Sequence, residues 1–178
     1  LSIKEINLSR IKKNQNYLCF SHTIKGQKEN MNMLKKLQKS NCSLLDYELL
    51  KNNKNQRIIG FGYFAGIVGT FLSLLKNKPK NLKDNLLIKD LIKNKSNLKL
   101  DSNIIVTGHG EVSRGVRFFL KKIGYKESKN WETTKQSEFF IAHPWDYYER
   151  TDKKFNVKDL IEKKGQYKSS FKKFFLNF

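Results

Sequence analysis

The sequence predicts an α/β protein built on a largely parallel sheet, and three observations carry that expectation. Short apolar or β-branched runs alternate with longer stretches whose apolar residues recur at helical spacing. Polar turns such as Asn52-Asn53-Lys54-Asn55 separate them. One run, Asn103-Ile104-Ile105-Val106-Thr107, passes directly into Gly108-His109-Gly110 and then a helical stretch, an order typical of parallel units.

The elements follow in order. Residues 1–16 are polar and basic with little pattern, and Tyr17-Leu18-Cys19-Phe20 reads as a buried strand. Gly26 opens a helix on which Met31, Leu34, Leu37 and Gln38 share a face, with lysines between them. Cys42 to Tyr47 gives a second strand, ending at Asp46-Tyr47-Glu48, and Arg57-Ile58-Ile59-Gly60-Phe61 a third. Residues 62–75 form a helix whose small residues Ala65, Gly66, Gly69 and Ser73 recur every three or four positions. Each helical glycine costs about 1 kcal/mol relative to alanine, so the stripe implies that a backbone or ligand comes close there. Pro79 and the Lys/Asn tract around it mark a linker, and Leu86 to Ile92 a short amphipathic helix. After the strand at 103–107 come a helix from Glu111 to Ile123, a strand at Phe139-Phe140-Ile141-Ala142, and a basic, aromatic, helical tail from Asn156. There is no internal repeat.

Composition excludes several classes. The 178 residues suffice for one good domain or two incomplete ones. The net charge of +20 raises the question of nucleic acid. Yet only five of the cations are arginines (Arg10, Arg57, Arg114, Arg117 and Arg150), and arginine is the residue that reads guanine edges and stacks on bases. The lysines are scattered among Asn, Ile and Phe, as AT-rich codons produce, so no nucleic-acid partner is expected. No apolar run reaches the ~18 residues of a membrane span, and no signal-peptide pattern is present. Two cysteines, Cys19 and Cys42, lack metal-ligand spacing, so no metal is expected. A soluble, cytoplasmic protein is the expectation.

Three motifs carry chemistry. The first is Thr107-Gly108-His109-Gly110-Glu111-Val112-Ser113-Arg114-Gly115. Its first glycine permits a tight turn, and its second lets the backbone approach a pyrophosphate seated on a helix N-terminus. Ser113 stands where a third glycine is usual, with Gly115 two positions later, and an ordinary strand-to-helix turn explains the pattern as well. Glu127 is a candidate for holding an adenosine ribose. The second motif is His22, between strand and helix, where an imidazole serves either as acid/base or as a structural hydrogen-bonding group. His109 and His143 have the same two readings. The third is Arg57, a rare arginine close in sequence to the glycine-spaced helix, and so either a carboxylate clamp or a surface cation. Asp46 and Glu48 either tune a neighbouring cation or are solvated.

Together these segments resemble the lysine-ketoglutarate reductase/saccharopine dehydrogenase family, within the wider alanine dehydrogenase-like group. The matching stretches are Phe20-Ser21-His22-Thr23-Ile24-Lys25-Gly26-Gln27 with Asn30-Met31, Leu45-Asp46-Tyr47-Glu48, and Arg57-Ile58-Ile59-Gly60-Phe61-Gly62 with Ala65-Gly66-Ile67 and Gly69. The glycine loop and Tyr167-Lys168-Ser169-Ser170-Phe171 follow in the same order.

The resemblance implies two Rossmann-like α/β domains, each a parallel sheet flanked by helices and both incomplete here. Residues 1–75 would be the C-terminal part of a substrate domain with its interdomain helix, and 76–178 the N-terminal part of a dinucleotide-binding domain. It implies NAD or NADP as cofactor and lysine, 2-oxoglutarate and saccharopine as substrates, joined through an imine. His22 matches the family's acid/base histidine; Gln27, Arg57 and Phe61 match substrate-pocket positions; Gly108, Gly110, Glu111 and Val112 fall in the cofactor loop. The family's second acid/base residue, a lysine, lies upstream of the histidine motif, and Lys4, Lys12 and Lys13 lack its context. An alanine dehydrogenase-like enzyme and an inactive nucleotide-binding paralogue are the alternatives.

Overall fold

A computed structural model describes residues 6–77, 87–150 and 152–172. It has parallel sheets flanked by helices, as the sequence predicts, and divides into two compact units, Leu1–Gly60 and Phe61–Phe178.

In the first unit, β1 (Asn16–Cys19) leads through a turn to α1 (Lys28–Lys39) and then β2 (Ser43–Asp46). The two strands pair in parallel, Asn16 opposite Ser43 and Cys19 opposite Asp46. A parallel pair needs a crossover, and α1 supplies it. Its buried residues are Met33 and Leu37, four apart, which pack with Ile11. Met31 and Leu34 are only half-buried and Gln38 is exposed, so the core stripe is rotated from the expected one.

The strand expected over Arg57–Phe61 is absent. Residues 51–58 form a tight turn with one antiparallel bridge, Lys51 to Arg57. The turn is closed by Asn52 N–H to Gln56 O (2.8 Å) and by the Asn52 side chain, which accepts from Lys54 N–H and Gln56 N–H. Ile58 is 64% exposed. Strand propensity measures packing against sheet neighbours, and this segment has none to pack on.

The second unit opens with α2 (Gly62–Leu74), followed by α3 (Ile88–Lys93), β3 (Ile104–Thr107), α4 (Glu111–Ile123), β4 (Lys126–Glu127) and β5 (Glu138–Ala142). Pro79 and its linker lie outside the described residues. The sheet order is β3-β5-β4, all parallel. α4 places Gly115, Phe119 and Ile123 on one buried face, and Gly124, at φ 109°, ends it. Phe119, Leu120, Phe139, Ile67 and Leu98 fill the core.

The small-residue stripe on α2 has a specific use. A Cβ at Gly66 would stand 2.0 Å from the Val112 carbonyl oxygen, and one at Gly115 would stand 1.9 Å from the Tyr63 carbonyl oxygen. The two glycines let the backbones of α2 and α4 touch. That contact places α2 in the second compact unit, which begins at Phe61. Beyond β5, α5 (Pro144–Tyr147), β6 (Tyr148–Glu149), α6 (Val157–Glu162) and β7 (Lys168–Ser169) follow, β6 and β7 pairing antiparallel. Among the described residues of the expected helical tail, α6 and a 3-10 turn at Lys164–Gln166 are helical, whereas β7 is extended.

Candidate functional site

The first unit gathers polar groups where β1 and β2 end. β1 carries Cys19, Phe20 and Ser21 into the interior, and His22 then adopts φ 54°, a left-handed conformation that a side chain rarely takes. Such a conformation persists only where its surroundings hold it. The imidazole is 31% exposed and lies beside the Phe20 ring, centroid to centroid 5.1 Å. Gly26, at φ 65°, closes the turn that sends the chain into α1, with Gln27 exposed as its N-cap.

The end of β2 supplies two carboxylates, and both are buried: Asp46 is 6% exposed and Glu48 is 5%. Asp46 accepts from Ser21 N–H (3.3 Å), from the Ser21 hydroxyl, and from Glu48 N–H (2.8 Å). Glu48 gathers the cations. Its Oε1 lies 3.2 Å from Lys25 Nζ and 3.1 Å from Arg57 Nη2, and its Oε2 lies 3.7 Å from His22 Nδ1. Arg57 also lies over the Phe20 ring at 5.7 Å.

The structure thus brings His22 and Arg57 together on Glu48, one of the two carboxylates the sequence singled out beside a cation, whereas Lys25 was not anticipated there. Glu48 is the buried hub and Lys25 its second cation; their signal was the carboxylate pair at the end of β2. The two cations, Lys25 and Arg57, are matched by the two buried carboxylates, Asp46 and Glu48, so the cluster has no net charge with the imidazole uncharged. Lys25 and Arg57 are both partly exposed and can pair with an incoming carboxylate as well. Phe61 is the N-cap residue of α2 and belongs to the second unit.

In the second unit, β3 ends at Thr107, Gly108 turns at φ 79°, and Gly110 caps α4. The Gly108 N–H is spent on Ala142 O at 3.0 Å, which fastens the loop to β5. No side-chain hydrogen bond caps α4 among the described residues, so the first-turn N–H groups at Glu111, Val112 and Ser113 carry the positive end of the helix dipole. A Cβ at Gly108 or Gly110 would meet nothing within 4 Å, so the loop backbone is open. Ser113 is buried, and its Oγ has no hydrogen-bond partner among the described residues. Open glycines, a free helix N-terminus and an orphaned hydroxyl fit a diphosphate group. Beside the loop lies a mostly apolar groove of about 660 Å³, lined by β3, by Ala65, Gly69 and Ser73 of α2, and by the start of α4. Glu111 is exposed and paired with Arg114 at 2.6 Å.

Glu127 is not beside this loop. It lies on β4, separated from β3 by β5. Burial disfavours its charge, but Lys121 (2.6 Å) and Arg117 (3.2 Å) prevail and hold its carboxyl below the usual range. The strand that does flank the loop, β5, is followed by His143, whose ring lies 5.7 Å from that of His109 and stacks on Trp145 at 4.5 Å.

A parallel α/β unit whose first glycine turn feeds a free helix N-terminus defines a Rossmann-like architecture. No family model matches the chain. Curated relatives do. The chain is 38% identical over 69 residues to mouse "Alpha-aminoadipic semialdehyde synthase, mitochondrial", covering 39% of the chain and 8% of that protein. It is 42% identical over 69 residues to the Arabidopsis thaliana "Alpha-aminoadipic semialdehyde synthase", 6% of that protein. It is 28% identical over 142 residues to "Saccharopine dehydrogenase [NAD(+), L-lysine-forming]" of Candida glabrata, covering 68% of the chain and 38% of that protein. The matched part is therefore well under half of each relative's length. Its homologues over this partial stretch are alpha-aminoadipic semialdehyde synthases and lysine-forming saccharopine dehydrogenases, consistent with a fragment of that family.

Proposed function

We propose that the chain is part of an NAD(P)-dependent oxidoreductase acting on a CH–NH bond, one that joins lysine to 2-oxoglutarate as saccharopine, or runs the reverse. The observation that carries this reading is the convergence of His22, Lys25 and Arg57 on the buried Glu48. The names of the relatives support the same chemistry.

Each residue then has a task. Glu48 Oε2 lies 3.7 Å from His22 Nδ1, and the imidazole is the group that exchanges protons with the reactants in this reading. Neutral, the imidazole takes a proton from the lysine ammonium so that the amine can attack the keto carbon; protonated, it delivers one to the hydroxyl that leaves as water when the imine forms. Arg57 gives one guanidinium nitrogen to Glu48 and keeps the rest of its planar fork for a substrate carboxylate. Lys25 adds positive charge at the same place, and Gln27 is a further proposed substrate contact of this unit; Phe61, in the second unit, keeps the substrate-binding role that the resemblance implies.

Gly108, Gly110, Glu111 and Val112 form the cofactor loop. There the first-turn N–H groups of α4 hold the diphosphate, and the Ser113 hydroxyl is available to it. The nicotinamide, when bound, supplies or accepts the hydride at the imine carbon. The cofactor is NAD or NADP; the name of the Candida relative specifies NAD(+) for that protein. No helix among the described residues is long and apolar enough to cross a membrane. The proposed location is cytoplasmic, although the mammalian relatives' names specify mitochondria.

In a full-length protein containing this chain, His22→Ala should lower lysine- and 2-oxoglutarate-dependent oxidation of NAD(P)H by more than about tenfold, the low end of general acid–base effects. Undiminished turnover would remove His22 from the mechanism.

A further inference from the structure

The arrangement around His22 needs an explanation that His22 itself does not contain. A histidine at φ 54° stands at the end of β1, and its carboxylate partner stands past the end of β2, twenty-six residues further along the chain. A left-handed histidine gains no stability from its own backbone, so neighbouring groups must fix it. We propose that Asp46 is the positioning residue that sets both His22 and Glu48.

Asp46 touches the residue immediately before the histidine and the backbone of the glutamate itself. One of its oxygens, Oδ1, accepts from Ser21 N–H at 3.3 Å and from Glu48 N–H at 2.8 Å. The other, Oδ2, takes the Ser21 hydroxyl, which in turn lies 2.7 Å from Thr23 Oγ1. A single carboxylate therefore holds residues 21 and 48 directly and residue 23 through Ser21, bracketing His22 on both sides. Ser21 is fully buried and Asp46 nearly so, which keeps water from competing for these bonds. The parallel pairing of β1 and β2 puts Cys19 opposite Asp46, so the clamp sits where the two strands diverge and their ladder can no longer set the spacing. Asp46 touches no reactant in this reading and acts only through its neighbours.

The inference builds on the role proposed for His22, but its geometry can be tested apart from turnover. The experiment compares wild type, Asp46→Ala, Asp46→Asn and Ser21→Ala in the whole chain by NMR. It follows amide exchange at Ser21 and Glu48 and the through-space contact between the His22 ring and Glu48. Asp46→Ala should speed exchange at both amides by about tenfold or more and abolish the ring contact. Asn keeps the Oδ1 acceptor, so Asp46→Asn should hold both amides within about threefold of wild type. Should Asp46→Ala not fold, Ser21→Ala removes the Oδ2 link alone and should weaken the ring contact by itself. A ring contact that survives Asp46→Ala, or survives Ser21→Ala when the former is unfolded, overturns the proposal.

The kinetic arm uses the full-length protein. Asp46→Ala should lower kcat by about tenfold or more, as a misplaced acid/base group does, with KM for the dinucleotide unchanged and Asn restoring most of the loss. If kcat stays at the wild-type value although His22→Ala is inactive, the positioning role is wrong. If His22→Ala is fully active, the functional reading fails, and a lost ring contact in Asp46→Ala still supports the clamp.

Discussion

The contact between α2 and α4 permits a test in which one substitution, made at three positions, should change sign. An alanine methyl at Gly66 would stand 2.0 Å from the Val112 carbonyl oxygen and 3.0 Å from Val116 N. At Gly115 it would stand 1.9 Å from the Tyr63 carbonyl oxygen and 3.1 Å from Ile67 N. Non-bonded carbon atoms settle at about 3.5 Å, so the helices must part by roughly 1.5 Å in either variant. The opposing atoms are backbone and cannot swing aside. Parting the helices also loosens Ile67 and the edge-to-face pair Phe71–Phe119.

Overpacking of this kind costs about 1–3 kcal/mol, occasionally more, and the rigid backbone argues for the upper end. Alanine's helix propensity returns about 1 kcal/mol, leaving a net loss of roughly 2 kcal/mol for Gly66→Ala and for Gly115→Ala. Gly69 sits on the same helix as Gly66, yet a Cβ there meets nothing within 4 Å. Gly69→Ala should therefore stabilise by about 0.5–1 kcal/mol. In a protein of this size the midpoint should fall by about 4–8 °C for the first two and rise by about 1–4 °C for the third. Thermal and urea unfolding followed by far-ultraviolet circular dichroism would measure all three. Equal effects at Gly66 and Gly69, or a Gly66→Ala variant as stable as wild type, would refute the close-contact reading of α2.

Two further outcomes follow from buried and paired charges. Glu48→Gln keeps the volume but removes the charge facing His22, Lys25 and Arg57; turnover of the full-length protein should fall by more than about tenfold, measured as NAD(P)H oxidation. Asp152, hydrogen-bonded to the Arg150 guanidinium, is pulled down to about 2. Because the folded value lies below the ordinary carboxyl value of about 3.9, its stabilisation is complete above that pH and is lost as the pH falls towards about 2. Near-ultraviolet circular dichroism of the aromatic residues beside Arg150 should show an acid transition in that window, and Asp152→Asn should lose that part of it.

How much could be read in advance depended on whether a signal was local. The strand–loop–helix unit was legible nearly residue for residue, because β-branched Ile104 to Val106, the glycines and the apolar face of α4 all lie within one short segment. The expected strand at Arg57–Phe61 failed for the opposite reason: its apolar residues needed a sheet neighbour that local sequence does not encode. Likewise Met33 replaced Met31 on the buried face of α1, since both fit helical spacing and only packing against Ile11 and Leu37 selects between them. Glu127 stood at a reasonable distance along the chain, but the strand order put β5 between it and the glycine loop.

The same distinction explains the candidate site. His22 alone is ambiguous, because an imidazole between a strand and a helix is commonly structural. What the structure adds is a buried carboxylate from a distant segment, and the helical crossover α1 is what brings it there: it returns the chain so that β2 lies parallel to β1 and both strands end at the same edge. Asp46 and Glu48 are two residues apart at that edge, yet they do different work. Asp46 spends its oxygens on Ser21 and backbone N–H groups, whereas Glu48 spends Oε1 on Lys25 and Arg57 and leaves Oε2 facing the imidazole. A solvated pair would do neither. One carboxylate holds the backbone and the other holds the charge, and the proposed roles of this strand end in binding an acid and moving a proton rest on that division.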